Sequence, residues 1–198
     1  MIEITHLSKE YGMNSNPTTN PISIAPFTWD TWQHWSALWK LRGYQLNEEG
    51  IVGEEDDIPP RGMDVGRDGY EWDYHHIDEI YLSGTGGFWL AYWEGDPAGH
   101  VGAQDLGGTI ELRHMYVRAE YRRRGIGTRL VQALIDNCKS KAVKAVELWT
   151  APDGLGRILY KKLGFRVADK PWMELNELNY RMNSAPGKGE IRMRVNLS

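Results

Sequence analysis

Among the 198 residues there is a single cysteine, Cys138. It cannot close an internal disulfide, and a structural zinc site built on several thiolates is out of reach. Such usage fits a reducing compartment, so a cytoplasmic location is expected. The chain also lacks any apolar run near the roughly eighteen residues a bilayer span requires, and no membrane partner is expected. Its opening, MIEITHLSKEYG, has no basic start followed by an apolar stretch, so no secretory signal is expected. Basic charge is not in excess: the formal net charge is −4, and the chain as a whole is not built to hold nucleic acid. The 22 glycines follow no triplet repeat, which excludes a collagen-like fibre.

What is present is ordinary for a globular protein with a sizeable core, 41% hydrophobic and 25% charged. The length favours one domain, expected over 21–198 after a loosely held lead-in, 1–20, rich in Asn, Pro, Ser and Thr. Charge is unevenly spread. Residues 47–79 hold 12 acids against Arg61 and Arg67, a net of −10, and the remainder carries +6. The counter-pole is RAEYRRRGIGTR (118–129), five arginines against one glutamate. A solvated loop explains the acidic run; its functional reading is a field that draws in a cationic substrate. The arginine cluster invites an anion.

The patterning predicts a first strand at 22–28, then a helix capped by Asp30 and running to about Gln45. Trp32, Trp35, Leu38 and Trp39 give that helix one broad aromatic face, core for the most part. DYHHIDEIYLSG (73–84) reads as a second amphipathic helix. His75, His76, Asp78 and Glu79 raise a metal site there, but adjacent histidines point to different faces and His76 with Glu79 offers two ligands, so a solvated face is preferred. Strands follow at 88–93, 100–104 and 109–117. Ile126, Leu130, Leu134 and Cys138 form one helical stripe, which makes Cys138 a small buried hydrophobe rather than a nucleophile. A strand at 145–150, a helix at 155–163, a short strand at 165–167 and a last strand at 191–197 complete the chain. Strands followed by alternating helices and strands indicate an α+β or α/β three-layer domain.

Arg122-Arg123-Arg124-Gly125-Ile126-Gly127-Thr128 puts two glycines and three guanidiniums at a helix N-terminus. First-turn N–H groups there lack backbone partners, the macrodipole adds positive potential, and glycine lets a bulky anion approach. Phosphate or pyrophosphate is the natural ligand. A dinucleotide G-x-G-x-x-G fails because Leu130 fills the third glycine position. A superficial likeness of IEITHLSKEYG to the first strand of an ABC-type ATP-binding domain is discarded, because no G-x-x-x-x-G-K-[ST] follows.

ELRHMYVRAEYRRRGIGTRL resembles motif A of the GNAT N-acetyltransferase superfamily, [Q/R]-x-x-G-x-[G/A] after a long strand, with Arg122, Gly125 and Gly127 in the defined positions. The family's second segment, N-x-x-A-x-x-L-Y-x-K-x-G-F, is matched from Asp153 through Leu159-Tyr160-Lys161-Lys162-Leu163-Gly164-Phe165. Asp153 stands for the usual Asn and Gly156 for the usual Ala. The likeness covers roughly 87–167. It implies a mixed, mostly antiparallel sheet with a splayed parallel strand pair and flanking helices, and acetyl-CoA as co-substrate without a metal. By the same resemblance the backbone of Met115 and Val117 holds the thioester end and pantetheine. The N–H groups of Arg122, Arg123, Arg124, Gly125, Ile126, Gly127 and Thr128 take the pyrophosphate, with an arginine side chain at the 3′-phosphate. Tyr160 matches the tyrosine near the CoA sulfur, Asp153 sits near a CoA phosphate or amide, and Glu111 lies where some members place the general base. The family often dimerises, and the final strand is an exchange point a homodimer would use.

The chemistry asks for such groups on its own terms. A primary amine is mostly protonated at neutral pH, and a carboxylate, directly or through water, takes that proton. Glu111 is the best-placed carboxylate; its plain reading is a strand residue paired with Arg113. An unpaired strand amide near Met115 suits the oxyanion. His114 ranks behind Glu111, because strict alternation turns it away from the face of Arg113 and Met115. The expectation is an N-acetyltransferase acting by direct attack in a ternary complex on a small or peptidic amine, itself cationic. The rivals are a non-catalytic acyl-CoA-binding sensor, which would not need Glu111 or Tyr160, and a phosphate- or RNA-binding domain using only the arginines.

Overall fold

A computed structural model describes residues 20–51, 58–63, 65, 71–168 and 189–197. The lead-in (save Asn20), most of the acidic loop and the 169–188 loop with Pro171 and Trp172 lie outside the described residues. The described residues form a seven-stranded sheet in the order β1-β2-β3-β4-β5-β7-β6. The strands are β1 (Ile22–Pro26), β2 (Gly87–Trp93), β3 (Asp96–Asp105), β4 (Thr109–Val117), β5 (Ala145–Thr150), β6 (Arg166–Val167) and β7 (Ile191–Asn196). Every pairing is antiparallel except β4 with β5. The helices are α1 (Trp32–Glu48), α2 (Trp72–His75), α3 (Ile77–Ile80), α4 (Ile126–Ser140) and α5 (Leu155–Lys162).

One apolar cluster lies on each face of the sheet. On the first, Ile126, Leu130, Leu134 and Cys138 of α4 pack on Ile110, Leu112, Val146 and Leu148, with Tyr160 and Phe165 beside them. The expected stripe is buried as a unit, and burial pushes the Cys138 thiol up to about 11, which keeps it inert. On the other face Trp35, Leu38, Trp39 and Leu41 of α1 meet Tyr74, Ile77, Tyr81, Phe88 and Leu90. Helices thus cover both faces, the three-layer arrangement the element order suggests.

Three local expectations are corrected. α1 starts after Thr31 rather than Asp30 and runs to Glu48, because the Thr28 and Thr31 hydroxyls (2.6 Å apart) and the Thr28 N–H to His34 bond organise its entry. Trp32, expected on the aromatic face, is half exposed, while Trp35 and Trp39 are core. Residues 73–84 are not one solvated amphipathic helix: α2 and α3 are single turns broken at His76, and Asp73, Tyr74 and His75 are buried. His75 packs edge-on to Trp35 and 4.6 Å from Trp39, and burial holds its pKa below the usual value. His75 thus lies in an aromatic cluster rather than on a solvated face, and its buried Nδ1 has no hydrogen-bond partner among the described residues.

Candidate active site

β4 and β5 are in register only at Thr109↔Ala145, Ile110↔Val146 and Glu111↔Glu147. Past that point β5 continues beside β7 as far as Thr150, while β4 runs on to Val117 with no strand on its β5 side among the described residues. Backbone N–H and C=O groups on such an edge need partners, and a ligand carrying amides can supply them. Met115 and Val117 lie on this open stretch, their side chains packed toward the α4 layer. The Val117 carbonyl accepts from the Arg122 Nε at 2.8 Å, which uses one of its two lone pairs.

At the end of β4 a 3₁₀ turn, Ala119–Tyr121, leads through the arginines into α4. Gly125 is the N-cap residue, with φ +89°, a left-handed conformation glycine adopts without strain. Nothing lies within 4 Å of where its Cβ would stand, so the helix start is open. The Arg129 N–H bonds the Gly125 carbonyl at 3.1 Å, leaving Ile126, Gly127 and Thr128 as the first-turn donors. With the positive end of the helix dipole behind them, they suit a phosphate.

The three arginines divide the work. Arg122 bonds Val117 through its side chain and pairs with Glu48, and its own N–H donates to the Ala119 carbonyl at 3.2 Å. It braces the loop, with its N–H engaged in the 3₁₀ turn. The Arg124 guanidinium lies 4.7 Å from the Trp93 ring centroid and 5.9 Å from that of Tyr121. Arg123, exposed and at φ +64°, has no partner among the described residues, so its side chain is available to an anion.

On the α5 side, Tyr160 is buried against Phe165, and burial pushes its phenol well above the usual value, so it is protonated throughout the neutral range. Its hydroxyl has no partner among the described residues. A Cβ on Gly156 would come 3.1 Å from the Tyr160 ring, so the glycine standing where the family has alanine gives that ring its room. Asp153 is exposed in the turn before α5.

The opposite face of β4 carries the acids and bases. Glu111 is 6% exposed at the closed end of the splay. Its nearest cation, Arg113, is 3.6 Å away, and its Oε2 is buried with no hydrogen-bond partner. Burial raises its pKa, Arg113 opposes, and Glu147 alongside adds to the rise. Glu147 itself is paired with Arg192 and Arg194 of β7, the Arg192 Nε bond being 2.8 Å.

Sequence reasoning misplaced His114. The β3–β4 register jumps from His100↔Tyr116 to Gly102↔Arg113, so two β4 residues oppose one on β3, and His114 takes φ +49°. This bulge puts Arg113 and His114 on one face and Met115 on the other. There the His114 Nε2 pairs with Asp73 of α2, to which the Tyr81 hydroxyl also donates at 3.3 Å. Burial alone would raise Asp73, but His114, Arg113 and the Tyr81 hydroxyl hold it below the usual value. Beneath, fully buried His100 bonds the His114 carbonyl at 2.6 Å, and burial, with His114 nearby, takes it down to about 3. A signal for the Asp73–His114 pair would have had to be a bulge, which no residue pattern announces.

Residues 51–165, more than half the chain, match the acetyltransferase (GNAT) family. A curated relative, an uncharacterized N-acetyltransferase of Methanocaldococcus jannaschii, is 30% identical over 99 residues, 45% of this chain and 44% of its own. The chain thus spans about half the length of the curated relatives it matches. A GNAT-family acetyltransferase structure from Staphylococcus aureus superposes with a TM-score of 0.64 at 22% identity, over 89% of this chain and 99% of the other. The PaiA N-acetyltransferase of Thermoplasma acidophilum, solved with coenzyme A, gives 0.57 at 18% identity over 88% and 98%. Among the described residues no helix is long and apolar enough to cross a membrane. The splayed β4–β5 pair, the glycine-capped α4 and the sequence match together identify the chain as a member of the acetyltransferase (GNAT) family.

Proposed function

We propose that this chain transfers an acetyl group from acetyl-CoA to a primary amine of a small molecule or peptide, by direct attack within a ternary complex. The observation that carries the reading is the splay after Glu111↔Glu147, open to a helix start on one side and to buried acids and bases on the other. Acetyl-CoA, when bound, supplies an acyl carbon activated as a thioester. The N–H groups of Ile126, Gly127 and Thr128 with the Arg123 side chain bind its phosphates. The unpaired edge of β4 around Met115 holds its amide-bearing arm and offers an N–H to the carbonyl oxygen.

Glu111 takes a proton from the acceptor. Its raised pKa brings it nearer to neutrality, where a base both binds and releases protons readily, and its Oε2, 3.6 Å from the Arg113 guanidinium, accepts no hydrogen bond among the described residues. Tyr160 donates a hydrogen bond to the departing sulfur. Because its phenol holds its proton more tightly than a thiol of pKa roughly 8.5 does, it stabilises the thiolate and gives up no proton. Release of CoA thiol from acetyl-CoA, measured across polyamines, aminoglycosides and peptide amines, tests the reading. Turnover with at least one amine, lost in Glu111→Gln while acetyl-CoA still binds, supports it. Binding without turnover across the panel would leave an acyl-CoA sensor instead.

A further inference from the structure

Acylation of an amine that arrives as an ammonium removes two protons from one nitrogen. The first must go before the nitrogen can attack. After the N–C bond forms, the nitrogen still carries a positive charge and one hydrogen too many, and the second must go before the C–S bond breaks productively. One of the two is matched by the proton the thiolate takes from water at neutral pH, so one proton is released per turnover. Glu111, given the reading above, accounts for the first. We propose that His114, fixed by Asp73, accepts the second through its Nδ1.

Three observations carry this. The Asp73 carboxylate accepts from the Nε2 of His114, so in the neutral ring the proton sits on Nε2 and the Nδ1 lone pair is open. Nδ1 has no partner among the described residues and is not among the buried unpartnered atoms; the side chain is 19% exposed. The fold also accepts a left-handed backbone at a non-glycine residue to turn this ring onto the face of Glu111 and Arg113, and such conformations persist where the surroundings over-determine them. The surroundings do: Tyr74 lies 4.3 Å and Tyr81 5.8 Å from the ring, and the Tyr81 hydroxyl and Arg113 both act on Asp73. An imidazolium formed at His114 would face a carboxylate held ionised, the pairing that steadies a histidine base.

The test uses the full chain and two readouts. Ring-nitrogen NMR of ¹⁵N-histidine protein should show a histidine signal with Nε2 protonated and Nδ1 bare at neutral pH besides that of His34, whose Nδ1 accepts from the Thr28 N–H. That signal should vanish in His114→Asn, where Asn tolerates the left-handed backbone, and lose its fixed tautomer in Asp73→Asn. The kinetic arm uses methoxyamine, which is neutral at pH 7 and needs no first deprotonation. With it, the wild type turns over without the first deprotonation, and His114→Asn should fall about tenfold or more with unchanged acetyl-CoA affinity by calorimetry. An Nδ1-protonated ring, or a His114→Asn variant as fast as wild type on methoxyamine, overturns the assignment and leaves the transferase reading standing. A wild-type protein that neither binds acetyl-CoA nor acylates any amine fails the transferase reading itself, and this inference with it.

Discussion

Glu48, the last residue of α1, is ion-paired with Arg122 of the loop before α4, across 74 residues of chain. The same carboxylate accepts from the Tyr116 hydroxyl at 2.8 Å and from the Ala119 N–H at 3.1 Å. These bonds hold it below the usual carboxylate range against its partial burial. One side chain therefore ties the helix that leads into the acidic loop to the turn that shapes the anion site.

Glu48→Gln should loosen that turn. Both partners are partly exposed, so the stability loss should be small, under about 1 kcal/mol. The acetyl-CoA dissociation constant should nevertheless rise several-fold, because Arg122 no longer fixes the approach to Gly125. Paired thermal melts and calorimetric titrations check this. The sign with pH is set by the lowered pKa: the contribution is present above the ordinary carboxylate value and is lost as pH falls through the folded one.

Glu111 has the opposite sign. Its folded pKa is raised, so its ionisation on the buried face weighs against the fold as pH rises through that value. Glu111→Gln carries no such charge. Its melting temperature relative to wild type should therefore climb as pH rises above the ordinary carboxylate value and through the raised folded one, while its turnover with an alkylamine falls about a hundredfold or more.

Glu147 is buried between Arg192, itself 7% exposed, and Arg194. Glu147→Gln leaves a buried guanidinium uncompensated, which costs about 3–5 kcal/mol. In a chain of this size that is a fall in melting temperature of roughly 10 °C. Thermal denaturation at neutral pH measures it, and a change within a degree or two would remove the pair from the list of features holding β5 to β7.

Tyr160→Phe should separate chemistry from folding. The hydroxyl has no partner among the described residues, so stability should hold. A hydrogen bond to a departing thiolate is worth about 1.5–3 kcal/mol, so turnover should drop roughly ten- to a hundredfold with acetyl-CoA affinity unchanged. Single-turnover kinetics beside a binding isotherm give the comparison.

The glycine-capped start of α4 is legible because its signals are local. The glycine at φ +89°, the arginine run and the apolar stripe of α4 lie within a few turns of one another, and each has a backbone reason visible in composition. Tyr160 and Asp153 followed from a second local motif, and Glu111 from its place on a long strand. The acid–base face was not legible. Period-two alternation carries no mark for a bulge, so His114 was assigned the wrong side. His75, in a stretch crowded with charge, reads as solvated because what buries it is α1, and Asp73 is not singled out because its partner is a strand residue 41 positions on. The side-chain role of Arg122 was hidden for the same reason, since its partner Glu48 is far off in the chain.

The most direct measurement is a calorimetric titration of the full chain with acetyl-CoA, beside Gly125→Asp. Asp tolerates the left-handed backbone and would project a negative charge into the open space at the start of α4. Saturable one-site binding by the wild type, with a matching rise in melting temperature, and its loss in a folded Gly125→Asp are the predicted result. No heat and no thermal shift at millimolar acetyl-CoA, or equal binding by both proteins, would contradict the account.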